Sequence, residues 1–353
     1  MSTRRDVRQD TFPNSNSRNL PAYRSRVVAA LALVGLASLS VACNSDTAPL
    51  PAPDASTQET ETDPVRPTVD ATNAFYYYAD VEAAWSFYTE ILGMQTVADY
   101  GFAKILRVAP TSYLTLVDAE RGMHSADEPK TATLALVTDE VEGWYDYLQG
   151  AGVAIRSEFR PATGRPHVGF VAVDPEGYLL EFERFEPHAE NEHLLPALDE
   201  LQPLYPDPSV GSSRPAELGV RATVQWLYYR DTTAANAFYT DVLGAGPIVD
   251  QGWAWAYQTS ASGFLGIVDS ERGLHQATDE KGVTVSLFVD DVDAWFEYMK
   301  GADGFELRTE EVGDESGRVR VFVGYDPEGY FLEWDTFLDV EGNEALLRLL
   351  RRE

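Results

Sequence analysis

A single cysteine, Cys43, is the whole thiol content of this 353-residue chain. That excludes an intrachain disulfide, and its place near the N-terminus excludes a cysteine nucleophile in the body. Basic residues are also scarce: 27 Lys and Arg stand against 57 Asp and Glu, a net charge of −30. So acidic a surface repels phosphates, and no basic stripe offsets it, so nucleic acid is excluded as a partner. The sequence has no Gly-rich phosphate loop, no Gly-x-Ser-x-Gly and no Cys-x-x-Cys, which removes the common nucleotide, serine-hydrolase and thiol-redox signatures. What remains is ordinary for a globular protein: 44 % apolar and 24 % charged residues, with length enough for two or three domains.

The charge is uneven. Residues 1–42 hold six Arg against Asp6 and Asp10, a balance of +4, which leaves −34 for the remainder. Arg24 and Arg26 precede an uncharged run from Val27 to Ala42 that ends in Leu39-Ser40-Val41-Ala42-Cys43. The run is 16 residues, short of the roughly 20 needed to span a bilayer. A basic flank, a short apolar stretch and small residues before the break describe a signal peptide. A Cys directly after the small residue resembles the lipobox of bacterial lipoproteins, although Ser40 stands where Leu is usual. The resemblance implies removal of residues 1–42, lipidation at Cys43 and a membrane partner through the lipid. The protein would then be exported to the cell envelope, and Asn44 after the Cys leans towards the outer membrane of a Gram-negative host. The alternative is ordinary cleavage with Cys43 incidental. Residues 43–69 are rich in Pro, Thr, Ser, Asp and Glu, and this composition reads as a disordered tether.

Beyond the tether the sequence repeats itself. Tyr78-Ala79-Asp80 and Phe87-Tyr88-Thr89-Glu90-Ile91-Leu92-Gly93 return 151 residues later as Tyr229-Arg230-Asp231 and Phe238-Tyr239-Thr240-Asp241-Val242-Leu243-Gly244. Asp118-x-Glu120-Arg121-Gly122-x-His124 returns as Asp269-x-Glu271-Arg272-Gly273-x-His275 at the same offset. Asp174-Pro175-Glu176-Gly177-Tyr178 with Glu181 returns as Asp326-Pro327-Glu328-Gly329-Tyr330 with Glu333, now at 152. This is a duplication, with units at 70–201 and 219–353 and a Pro-, Gly- and Ser-bearing linker at 202–218.

Each unit contains two half-copies. In the first, Thr72–Tyr78 reads as a strand. Val81, Ala84, Trp85, Tyr88, Ile91 and Leu92 fall on one helical face that Gly93 stops, and three strand-like runs follow. The order then restarts at Thr131, with a helix carrying Val141, Trp144, Tyr145 and Leu148. Strand, helix and three strands, twice per unit, predicts an α+β fold.

That order, with the Asp-led helix, Phe-Tyr-x-x-x-Leu-Gly at its end and Asp-Pro-x-Gly-x-x-x-Glu in the last strand, resembles the vicinal oxygen chelate superfamily of glyoxalases, bleomycin resistance proteins and extradiol dioxygenases. The resemblance implies tandem domains, each of two paired βαβββ modules forming a cupped mixed sheet. It also implies a divalent metal held by His, Gln or Glu on inward-facing strand positions. Those positions fall here on Asn73 and Val224, Thr133 and Thr284, and Thr115 and Gly266, and only the last-strand Glu181 and Glu333 carry a family-type ligand. One Glu per cup is fewer than the roughly three ligands a stable site needs. The expectation is therefore no cofactor, with a divalent metal left open on an incomplete ligand set.

The ligand-binding candidates are the cup-facing Asn73, Phe75, Tyr77, Thr133, Trp226, Tyr228, Thr284 and Ser286, which suit a small organic ligand held by stacking and a few hydrogen bonds. Each also reads as ordinary sheet core. The catalytic candidates are Glu181 and Glu333 with His124 and His275, the only histidines paired by the repeat. Their structural reading is an Asp- or Glu-to-Arg pairing across a turn capped by His, and a buried Glu partnered by Arg or Tyr. Three functions stand side by side: metal-independent binding of a small molecule at the envelope, a glyoxalase-type lyase or isomerase or a dioxygenase with an atypical metal site, and a module that presents a surface to another protein.

Overall fold

A computed structural model describes residues 66–207 and 211–351. Cys43, the apolar leader and most of the tether lie outside the described residues. The first module comprises β1 (Ala71–Tyr78), α1 (Val81–Ser86), β2 (Gln95–Asp99), β3 (Ala103–Ala109) and β4 (Ser112–Asp118). The second runs β5 (Ala132–Val137), α2 (Val141–Gly150), β6 (Ala154–Ser157), β7 (His167–Val173) and β8 (Leu179–Phe185), and α3 (Leu194–Asp199) follows it. The third has β9 (Ala222–Tyr229), α4 (Thr232–Leu243), β10 (Val249–Asp250), β11 (Ala254–Gln258) and β12 (Gly263–Asp269). The fourth holds β13 (Val283–Phe288), α5 (Val292–Met299), β14 (Glu306–Leu307), β15 (Gly313–Glu315), β16 (Val319–Tyr325) and β17 (Phe331–Phe337), closed by α6 (Glu344–Leu350). The strand–helix–three-strand order thus holds in the first three modules, the fourth adds the short edge strand β15, and the α+β class is as expected. Among the described residues no helix is long and apolar enough to cross a membrane.

Local chemistry sets the helices. Asp80, Asp231 and Asp291 each accept a backbone N–H of the first turn, which satisfies donors the helix itself cannot. The inward stripe of α2 buries Val141, Trp144 and Leu148, and that of α5 buries Val292, Trp295 and Met299. The first helix is less regular than its repeat: α1 passes into a π-helical turn over Phe87–Ile91, whereas α4 continues to Leu243.

The strands form two mixed sheets. One has the order β14-β16-β17-β13-β1-β4-β3-β2, with β15 on the edge of β16, and the other the order β10-β11-β12-β9-β5-β8-β7-β6. Each sheet is therefore two paired modules, but the partners come from different repeats. Module one joins module four where β1 runs antiparallel to β13, and module two joins module three where β5 runs antiparallel to β9. The sequence units 70–201 and 219–353 are not the same bodies as the sheets, because the strand hydrogen bonds at each seam are made to the other repeat. The sheets share one core: Tyr76 and Leu116 of the first and Leu136 and Leu227 of the second belong to a single cluster with Trp144 and Trp295. Strand alternation turns the other face of each sheet into a cup. The helices α3 and α6 close one end of the cups through Leu194 and Leu198 in one and Leu346 and Leu347 in the other.

The Asp-Pro-Glu-Gly-Tyr motif is explained by packing. Asp174 Oδ1 accepts from the N–H groups of Glu176 and Tyr178, and its Oδ2 accepts the hydroxyls of Tyr78 at 2.7 Å and Tyr88 at 3.0 Å. Tyr178 accepts from Tyr77 N–H and donates to Gly282 O in the other repeat. Asp326, Tyr229, Tyr239 and Tyr330 repeat the arrangement. The linker is tied down as well. The buried guanidinium of Arg214 donates to the carbonyls of Leu218, Leu92 and Leu204 and lies 4.8 Å from the Trp144 ring centre.

Since Asp174 accepts four bonds at 5 % exposure, Asp174→Ala should cost about 3–5 kcal/mol. Asp326→Ala should cost a similar amount by chemical denaturation. A loss below about 1 kcal/mol for both would contradict this reading of the motif.

Candidate functional site

The cup of the first sheet, cup A, holds a cavity of about 240 Å³. Its walls are the rings of Phe75, Tyr77, Tyr100, Phe102 and Phe337, with Thr115 and Val117 from β4. Glu333 and Asp335, two residues apart on β17 and so on one face, form its floor, and Glu315 stands at the rim. No ion pair to Lys or Arg is made by these three carboxyls among the described residues; Asp335 accepts a 2.5 Å bond from Ser286 Oγ. Burial, together with the charges of Asp335 and Glu315, raises Glu333 well above the carboxylate range. Burial pushes Asp335 up to about 7, against the pull of the Ser286 bond. The two rim arginines are occupied with rings: Arg121 lies 4.3 Å from the Phe102 centre and Arg318 5.2 Å from that of Tyr100.

The cup of the second sheet, cup B, encloses about 220 Å³ beneath Trp226, Tyr228 and Trp253. Its floor has the matching pair on β8, Glu181 and Glu183, joined by His167 from the start of β7. Burial raises both carboxyls, Glu181 to about 7, and the charge of Glu181 adds to the effect at Glu183. Desolvation holds His167 below its usual range. Trp226 fits because Gly266 lies beneath it. A Cβ at that glycine would come 1.9 Å from the indole, whereas cup A has Thr115 at this position.

The anticipated site residues scatter over these features. Phe75, Tyr77 and Glu333 line cup A, and Trp226, Tyr228 and Glu181 line cup B. Thr284 and Thr133 are spent on holding the tyrosines, with Tyr77 Oη 2.7 Å from Thr284 and Tyr228 Oη 2.8 Å from Thr133. Asn73 is buried and accepts from Thr115 Oγ1. The family-implied metal positions on the first and fourth strands thus carry hydroxyls already bonded within the sheet, an amide, a valine and a glycine, and they do not fit a metal ion.

His124 and His275 are not brought to the carboxyls. Neither lines a cavity; each packs edge-on behind a cup tyrosine, 5.0 Å from Tyr77 and 4.9 Å from Tyr228 between ring centres. His124 Nδ1 lies 2.6 Å from Glu128, and burial lowers His275 to about 4. The turn before them also differs from the expected pairing. Asp118 accepts Glu120 N–H and Asp269 accepts Glu271 N–H, while the arginines pack on aromatic rings instead of pairing with the acids. The last-strand acids lie near cup tyrosines, Glu333 near Tyr77 and Glu181 near Tyr228, without a hydrogen bond to either ring among the described residues.

Sequence reasoning passed over Glu183, Asp335 and His167. The first two were legible, since Glu181-x-Glu183 and Glu333-x-Asp335 place two acids on one strand face. His167 was not, because its repeat counterpart is Val319.

One consequence can be measured in the free protein. The Glu333–Asp335 pair holds a proton to higher pH in the folded state than in the unfolded one, where Asp335 would have its ordinary 3.8. Its contribution to stability is therefore full below that value and is lost as pH rises through about 7. Asp335→Asn keeps an acceptor for Ser286 and should raise stability at pH 8 by on the order of 2 kcal/mol, with the gain shrinking towards pH 4. A lower Tm than wild type at pH 8 would contradict the assignment.

Residues 70–182 match the family model for the glyoxalase, bleomycin resistance protein and dioxygenase superfamily. Glyoxalase I from Zea mays is similar in structure with a TM-score of 0.52 and 16 % identity, over 80 % of this chain and 95 % of that one. A putative dioxygenase from Bacillus subtilis gives a TM-score of 0.56 at 11 % identity, over 77 % and 86 % of the two chains. No curated protein matches the sequence. The module order and the two cupped sheets thus share the fold of these two solved structures, and residues 70–182 carry the sequence match to the glyoxalase, bleomycin resistance protein and dioxygenase superfamily model.

Proposed function

We propose that this protein binds a compact organic cation in cup A, without a metal at the superfamily's strand positions. The observation that carries the reading is the floor of half-buried Glu333 and buried Asp335, set under aromatic walls with no cationic side chain paired to either among the described residues. Leaving a carboxylate in such a place is costly unless it is paired or protonated. A ligand ammonium would supply the missing charge, and the rings of Phe75, Tyr77 and Tyr100 suit both its apolar body and its positive end. The cavity, about 240 Å³, is smaller than the roughly 300–1,000 Å³ of drug-sized sites, so the ligand is small. The net charge of −30 draws cations from a distance.

The test is a thermal-shift titration of the full chain with benzyltrimethylammonium and its neutral carbon isostere. The cation should raise Tm in a saturable way and the isostere should not, and Asp335→Asn with Glu333→Gln should abolish the shift. Equal shifts from both compounds, or none from the cation, would contradict the reading.

A second reading rests on the same pair. A carboxyl held near neutral pH is matched to accepting a proton at physiological pH, which suits a lyase or isomerase of the glyoxalase kind. Turnover in a glutathione-dependent glyoxalase assay that is lost in Asp335→Asn as well as in Glu333→Gln would favour it over simple binding.

The envelope placement belongs to the same proposal and is supported by the Arg24-to-Cys43 leader alone. Expressed in a bacterial host, the wild type should fractionate with membranes and Cys43→Ser should be released from them. Equal distribution of the two would remove the lipid anchor from the account.

A further inference from the structure

The two cups have diverged at their floors. Cup B brings one imidazole and two carboxylates together: donor atoms of His167, Glu181 and Glu183 all lie within 4.8 Å of one another. Bonds of about 2.0–2.2 Å to a divalent ion place its donors roughly 3–4 Å apart, so small side-chain rotations close the set. Two of these atoms have no partner. Glu183 is 2 % exposed and its Oε1 makes no hydrogen bond, and His167 Nδ1 is buried without one. Trp226 donates to Glu183, which fixes the carboxyl while leaving the free oxygen in the cup. The backbone also approaches closely there. Gly169 lies between His167 and Val171 on the cup face of β7, opposite Glu183, and a Cβ on it would stand 2.5 Å from Phe182 O and 3.1 Å from Glu183 Cβ. In cup A the corresponding residues are Val319 and Val321, so the imidazole has no counterpart there and a β-branched side chain stands where Gly169 does.

We propose that His167, Glu181 and Glu183 form a divalent transition-metal site in cup B, displaced from the superfamily's first-strand positions onto β7 and β8. One imidazole and two carboxylates suit ions such as Zn²⁺ and Mn²⁺. Three protein donors on one side leave coordination positions open towards the cavity under Trp226 and Trp253, where water or an oxygen-bearing ligand completes the shell. The site is independent of the cation pocket in cup A, and the chain carries one of each.

The experiment is calorimetric titration of the full chain, stripped with a chelator, with Zn²⁺ and separately with Mn²⁺ at pH 7.5. One tight ion per chain is expected. His167→Val, which copies cup A, and Glu183→Gln should each weaken binding at least tenfold, while Glu333→Gln with Asp335→Asn leaves it unchanged. Gln in place of Glu183 removes an unfavourable buried charge, so that variant should melt no lower than wild type in the absence of metal. Mn²⁺ should also broaden the ring resonances of His167 before those of His124 and His275. Absence of tight binding, a tight ion that survives both cup B substitutions, or first broadening at another histidine would overturn the proposal.

Discussion

The molecule depends on two antiparallel seams, β1 against β13 and β5 against β9. Each seam pairs the first strand of a module from one repeat with the first strand of a module from the other. At the first, Asn73 lies opposite Ser286 and Phe75 opposite Thr284; at the second, Thr133 lies opposite Trp226 and Ala135 opposite Val224. Every cup is consequently a joint product of both repeats. Tyr77 from one repeat bonds Thr284 from the other across cup A, and Tyr228 bonds Thr133 across cup B. The duplicated sequence therefore did not produce two self-contained copies of one site. It produced two composite sites whose floors were free to change separately.

Those floors share an unusual electrostatic state. The buried aspartates of the core, Asp174 and Asp326, each accept two tyrosine hydroxyls and two backbone N–H groups, so their charge is met by fixed dipoles. The cup acids have fewer such partners, Ser286 for Asp335 and Trp226 for Glu183. Glu333 and Asp335 face each other and Glu315, and Glu181 faces Glu183. A core that satisfies its own buried carboxylates while the cups leave theirs waiting is the pattern expected of a binding surface, where positive charge arrives with the ligand. Cup A, lined by rings and lacking an imidazole at its floor, and cup B, with His167 beside its two carboxyls, would then take different kinds of cation.

Most of the fold was legible in the chain. Apolar periodicity located the helices, Asp80 and Asp231 marked their starts, and the repeated Asp-Pro-Glu-Gly-Tyr fixed the last turn before β8 and β17. Which modules pair was not legible, because β5 and β13 present nearly the same alternation, Ala-Thr-Leu-Ala-Leu-Val and Val-Thr-Val-Ser-Leu-Phe, and either satisfies the other side of a seam. At the site, the family position led directly to Glu181 and Glu333, and strand alternation alone would have added Glu183 and Asp335. His124 and His275 attracted attention because the repeat preserves them, yet they support the cup tyrosines from behind. His167 escaped because it is unique to one repeat, and uniqueness looks like noise when duplication is the guide. Repetition reported the scaffold, whereas the chemistry that separates the cups lies where the repeats disagree.

The central claim is that the acid pair on the floor of cup A has no cationic partner of its own and gains one from a ligand. Carboxyl ¹³C NMR titration of the free protein, assigned with Asp335→Asn and Glu333→Gln, measures this directly. The account predicts at least one carboxyl of the pair titrating near 7, as the burial of Asp335 requires, with its midpoint falling when a ligand cation is added. Both carboxyls titrating in the ordinary range of about 3.5–4.5, and unmoved by any cation, would contradict it.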